Sequence, residues 1–151
     1  MTSAELEAHV GSVRFHALLD DDDDGVADES VVESIIDQVR IITYSYLGER
    51  LDVPSDTDSI AQAQTYGLHI GGFLVWCHAP DVARLRFGTE LPKSVELLYV
   101  NAIKGLQSSR RGFLTLTDST GATVYGSGDQ LRGKDNTAKY DDDFFDKFPS
   151  Y

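Results

Sequence analysis

Five consecutive aspartates stand in the run Leu19-Asp-Asp-Asp-Asp-Asp-Gly-Val-Ala-Asp28. Counted from Asp20, the run fits D-x-D-x-D-G with a further acid at the ninth position. That is the front half of an EF-hand-like calcium loop. The alternate carboxylates of Asp20, Asp22 and Asp24 can converge on one hard cation, with Asp28 as the ninth-position ligand. Gly25 permits the sharp turn, and Val26 offers a backbone carbonyl. The twelfth position, where a bidentate glutamate belongs, is Val31. Glu29 or Glu33 replaces it only along a different loop path. The same residues also read as a solvated acidic loop capping the helix that begins near Asp28. A structural Ca²⁺ and a plain cap both fit the spacing.

No other group of residues offers chemistry. His9, His16, His69 and His78 show neither H-x-x-x-H nor H-E-x-x-H spacing. Cys77 is a lone cysteine in an apolar helical stretch, which points to packing rather than nucleophilic attack. Arg132-Gly-Lys134 lacks the upstream glycine and the Ser or Thr of a phosphate-binding loop. There is no Gly-x-Ser-x-Gly elbow. Arg84 with Arg86, and Arg110 with Arg111, are small basic points suited to a neighbouring acidic surface or to solvent. Nothing here makes an active site, and the reading is that the protein is not an enzyme.

The C-terminal residues suggest binding instead. Residues 126 to 139 are mostly Gly, Ser, Asp, Lys and Asn, with little to bury. Tyr140, Phe144, Phe145, Phe148 and Tyr151 then fall within twelve residues. Large aromatic side chains are costly to leave in water, at about 1.5–3 kcal/mol each, and they are the usual anchors of interfaces. A polar spacer ending in such a cluster reads as a tethered docking arm. The alternative is a tail that folds back onto its own helices.

Several elements must support these segments. Ser3 is a cap for a first short helix with Leu6 and Val10 on one face, ended by Gly11. A second, from about Ser12, carries Val13, Phe15, Leu18 and Leu19. Helices this short are marginal alone and must pack on something longer. Val32, Ile35, Ile36, Val39, Ile42 and Tyr46 recur at steps of three and four, predicting a long helix that Gly48 closes. Its front is capped by Ser30 with Glu33, or by Asp28. After a polar linker around Pro54, a second long helix runs from near Asp58 or Ser59 to about His78. Its face holds Ile60, Gln64, Gly67, Leu68, Gly71, Leu74 and Val75, and Ala61, Ala63, Gly67, Gly71 and Gly72 make it poor in bulk, so that a neighbouring helix can approach closely there. Pro80 limits it, and a short turn covers Asp81 to Phe87. Pro92 opens a third long helix with Val95, Leu98, Tyr99, Ala102, Ile103 and Leu106, stopped at Gly112. Beyond it, Phe113–Thr117 and Ala122–Tyr125 alternate around a turn, predicting a hairpin. The fold class is therefore mainly α: a small bundle of three main helices plus two short N-terminal ones. A β-hairpin and an extended arm follow. The bundle occupies 1–112, the hairpin and arm 113–151.

Charge narrows the partners. The formal net charge is −12, and residues 1–39 alone hold eleven acids against Arg14. So acidic a surface repels nucleic-acid phosphates and argues against a sequence-specific DNA reader. No apolar run is long enough for a membrane span, and MTSAELEAHV lacks the profile of a secretory signal. One cysteine leaves no internal disulfide and no cysteine-based zinc cluster. The expectation is a soluble protein of a reducing compartment.

Leu18-Leu-Asp-Asp-Asp-Asp-Asp-Gly-Val-Ala-Asp-Glu-Ser-Val-Val leads into a helix ending Tyr44-Ser-Tyr-Leu-Gly-Glu-Arg-Leu, and then Pro54. This pattern, with the small-residue helix, the Pro92 helix and the closing Phe144-Phe-Asp-Lys-Phe148, resembles the head–tail connector (adaptor) proteins of tailed bacteriophages, in particular the Mu-like family of small acidic neck proteins. The likeness covers most of 1–111 and the last ten residues; 113–139 depart from it. It implies a structural protein of the virion neck, assembled in the host cytoplasm. Many copies, about twelve, would form a homo-oligomeric ring beneath the portal protein and above a stopper or tail-terminator component. The bundle would form the ring wall, the C-terminal arm would dock on the portal, and DNA would pass without sequence-specific binding. The alternative is a small calcium-binding interaction module built on the acidic loop.

Overall fold

The computed structural model describes residues 1–47 and 60–110, together with the backbone of two short strands. The protein is mainly helical. Among the described residues the helices are α1 (Ser3–Val10), α2 (Ser12–Leu19), α3 (Glu29–Leu47), α4 (Ala61–His78), α5 (Pro80–Phe87) and α6 (Lys93–Arg110). The strands β1 (Leu116–Thr117) and β2 (Thr123–Tyr125) pair antiparallel, Leu116 opposite Tyr125 and Thr117 opposite Thr123. The rest of the hairpin expected at 113–125, the stop at Gly112 and the arm at 126–151 lie outside the described residues.

α4 is the central element, packing against α1, α2, α3, α5 and α6. Its buried residues, Ala63, Gly67, Ile70, Gly71, Gly72, Val75 and Trp76, run around most of its circumference. A helix enclosed on all sides needs apolar residues on all sides. The single face expected from Ile60 to Val75 was therefore too narrow: Gln64, Leu68 and Leu74 are only partly buried, while Ala63, Ile70, Gly72 and Trp76 are core. The close approach suggested by its small residues is present. A Cβ at Gly67 would lie 3.2 Å from Val39, and one at Gly71 would lie 2.8 Å from Leu6.

α3 buries Val32, Ile35, Ile36, Val39, Thr43 and Leu47. The expected stripe holds as far as Val39. It then continues in steps of four to Thr43 and Leu47, leaving Ile42 and Tyr46 partly buried. Of the two caps expected for α3 the structure takes Asp28, while those of α1 and α6 differ by a residue from the expectation. Thr2, not Ser3, caps α1: its Oγ1 accepts the Glu5 N–H at 3.3 Å while Glu5 accepts the Thr2 N–H at 2.6 Å, a reciprocal box. The Asp28 carbonyl accepts the N–H groups of Val31 and Val32, so Asp28 opens α3 and Ser30 lies inside it. Pro92 likewise stands just before α6, its carbonyl accepting from Val95 and Glu96.

The segment expected as a turn, Asp81 to Phe87, is helical. Pro80 begins α5 instead of merely ending α4, because its locked φ suits a first helical turn, and Gly88 closes α5 at φ 76°. α5 swings its Phe87 ring against Trp76 in an edge-on contact at 5.7 Å. α6 is held by a thin stripe, Ala102, Leu106 and Ser109, with the Phe73 and Tyr99 rings stacked 4.1 Å apart. Its other side shows Leu97 and Val100 to solvent. No helix of the described residues is long and apolar enough to cross a membrane.

Candidate functional site

The acidic loop joins α2 to α3, and its backbone folds around its own carboxylates. Asp20 accepts the N–H groups of Asp24 at 3.0 Å and Gly25 at 2.9 Å. Asp22 accepts Asp24 N–H at 3.2 Å, and Asp24 accepts Val26 N–H at 2.8 Å. The chain turns through positive φ at Asp23 (61°) and Gly25 (89°), where glycine carries no Cβ penalty. One oxygen from each of Asp20, Asp22 and Asp24 then falls within 4.8 Å of the others. The spacing of alternate aspartates thus brings three of the four expected ligands together. Asp28 stands apart: its Oδ2 accepts the Asp21 N–H at 2.8 Å and ties the loop shut.

The loop is braced by two histidines that the spacing did not reveal. His16 Nδ1 accepts the Ala27 N–H at 2.9 Å, which places the ring proton on Nε2, 3.4 Å from a Glu7 oxygen. His78, at the C-terminal end of α4, meets Asp21 at 3.0 Å. No local motif exists because the partners come from separate helices.

Electrostatics shows what the loop lacks. Accepting the Asp24 N–H holds the Asp22 carboxyl down. Repulsion from Asp24, desolvation, and repulsion from Asp28 and Asp20 outweigh that, so its pKa stands above the ordinary aspartate value. A cation among Asp20, Asp22 and Asp24 would relieve that repulsion with hard oxygen ligands of the right type. Acids also collect beside the loop. Glu7, Glu29, Glu33 and Asp37 line a cleft of about 590 Å³ between α1, α2 and α3, with His16 and Arg40 at its walls.

A second cavity holds hydrogen-bond donors instead of acids among its described lining residues. His9 from α1, Arg14 from α2 and His69 from α4 border a cavity of about 330 Å³ floored by Trp76, Phe87 and Leu98. The two imidazoles lie 5.5 Å apart, and Gly72 lets the His9 ring rest on α4. Burial lowers the pKa of both, and His9 lowers that of His69 further. Each ring therefore takes up its proton more readily in the unfolded chain. Stability is fully present above the unfolded value of about 6.5 and is lost as pH falls through the folded-state values. The melting temperature of His69→Gln should fall less steeply than that of the parent between about pH 7 and pH 5. Equal slopes would remove the linkage.

The remaining sequence candidates are quickly placed. Arg84 pairs with Asp81 at 3.0 Å and with Glu90 at 3.1 Å on the exposed surface of α5 and the turn after it. Cys77 is exposed rather than packed, and burial of its surroundings pushes its thiol pKa up, away from a reactive thiolate. Tyr140, Phe144, Phe145, Phe148 and Tyr151 lie outside the described residues. Comparison with protein-family models, curated proteins and solved structures finds no match to the chain, so what it does is argued from its own residues.

Proposed function

We propose that the protein is a structural head–tail connector (adaptor) of a tailed bacteriophage, without catalytic activity. The single observation that carries this reading is a pairing. A helical core assembled from α1–α6 is followed in sequence by a polar stretch and the cluster Tyr140, Phe144, Phe145, Phe148 and Tyr151. A hairpin over 113–125 would lead into an arm that carries those rings to the portal. Copies of the bundle, about twelve, would form the ring wall above a stopper or tail-terminator component in the virion neck.

Ring closure needs two different surfaces on one subunit that fit each other head to tail. The acidic cleft of α1, α2 and α3 is one candidate surface. The outer side of α6, with Leu97 and Val100 one turn apart and exposed, is another. If the acidic segment lines the channel, it repels DNA and lets the genome slide. Sedimentation of the purified protein with and without portal rings tests the proposal. Stable co-assembly supports it, and failure of the folded protein to bind any portal ring of its phage would defeat it.

The convergence of Asp20, Asp22 and Asp24 favours a second reading, a calcium-binding interaction module. Lacking a twelfth-position glutamate, such a site belongs with weak loops of Kd on the order of 1 mM. Then 10 mM calcium stabilises by about 1.4 kcal/mol and raises the melting temperature by about 3–6 °C. Asp22→Asn combined with Asp24→Asn should erase that rise. If the unmutated protein melts at the same temperature with and without calcium, the loop is only a cap.

A further inference from the structure

The cavity bordered by His9, Arg14 and His69 sits in a protein of net charge −12, yet among the described residues no carboxylate lines it. Its polar rim consists of those three side chains and the Thr89 and Ser94 hydroxyls, while Trp76, Phe87 and Leu98 offer an apolar floor. Arg14 is exposed and is not among the ion pairs of the described residues. About 330 Å³ lies at the lower end of pockets that enclose small ligands, roughly 300–1,000 Å³. It has room for one aromatic side chain with a carboxylate beside it.

From this complementarity we infer that the cavity is a binding site for an acidic aromatic peptide, and that its occupant in the free protein is the chain's own segment Asp141-Asp-Asp-Phe-Phe-Asp-Lys-Phe148. An aspartate meets Arg14 and the imidazole N–H groups, and a neighbouring phenyl ring covers Trp76. Charge selects this segment, because it interleaves four aspartates with three phenylalanines. Length permits it: the fourteen residues 126–139 reach up to about 46 Å when extended, beyond the ~27 Å length of the 18-residue α4. Attachment to the same chain favours it over a second copy, since a tether of this kind holds its end at an effective concentration on the order of 1 mM. The rings are thereby sheltered until a better surface competes for them. Docking stands without the connector reading; release by the portal rests on it.

Labelled peptide 140–151 is titrated into the full-length chain and into full-length Phe144→Ser, Phe145→Ser, Phe148→Ser, with anisotropy and the emission of Trp76, the single tryptophan, as readouts. The triple variant should bind saturably and shift Trp76 emission. The parent should bind the same peptide about tenfold more weakly, because its own segment competes. Arg14→Glu in the triple variant should weaken binding about tenfold or more, through loss of a charge-assisted hydrogen bond. Equal binding by parent and triple variant would overturn occupancy by the same chain, and no binding by either would overturn the site. Adding portal rings to the parent without peptide separates the two readings. If the parent co-sediments with the rings, the arm has been released to them; if it does not while the peptide results hold, the connector reading fails and the binding site stands.

Discussion

Phe144→Ser, Phe145→Ser and Phe148→Ser together leave the helical circular dichroism nearly unchanged and abolish attachment to portal rings. The first half follows from the core of the described residues: those apolar side chains lie within 1–47 and 60–110, almost all on α1–α6, and they pack on one another. The second half follows from magnitude. Each phenyl ring transferred from water to an apolar surface contributes about 1.5–3 kcal/mol. With tenfold per ~1.4 kcal/mol, losing three weakens attachment of one arm by about a thousandfold for rings that leave water, and by less to the extent that the cavity of His9, Arg14 and His69 already shelters them. A ring multiplies that loss, because its arms bind together or not at all. Co-sedimentation and circular dichroism on the same sample check both halves. If the variant loses its helical signal, the rings belong to the subunit's own core and the docking arm is ruled out.

What the sequence disclosed depended on how many neighbours a segment has. α3 buries a single stripe, so its apolar residues could be read in order and its start within a residue or two, while the expected stop at Gly48 lies outside the described residues. α4 is enclosed by five helices, so its stripe dissolves and the choice of face became ambiguous, although its small residues still announced close packing. α5 was hidden by Pro80, which ends one helix and begins the next with a single residue between them. In the acidic loop, the ligand spacing of Asp20, Asp22 and Asp24 was local and therefore legible. Its braces were not: His78 reaches Asp21 across 57 positions of sequence, and His16 reaches Ala27 across 11. The cavity of His9, Arg14 and His69 was invisible for the same reason, since the three come from three helices and form no spacing pattern.

The packing of α1 on α4 leads to a result whose sign reverses with its background. In the parent protein, Gly71→Ala destabilises by about 1–2 kcal/mol, although alanine favours a helix over glycine by ~1 kcal/mol. The added Cβ would stand 2.8 Å from Leu6 Cδ1, with Met1 and Val39 at 3.5 Å. Leu6 Cδ1 yields only by leaving its packed position, because the residue is fully buried and sits on a short helix fixed by the Thr2–Glu5 box. Leu6→Ala alone costs about 2–5 kcal/mol, the range for truncating a buried leucine. In that background the obstructing atom is gone, so Gly71→Ala fills part of the vacated space and keeps its helix preference. It then stabilises by up to about 1 kcal/mol. The coupling between the sites is therefore about 1–3 kcal/mol, within the range for residues in direct contact. Urea midpoints of the four proteins at a common slope measure it. If Gly71→Ala lowers stability equally with and without Leu6, the helices do not meet at this point, and α1 is held to α4 by other contacts.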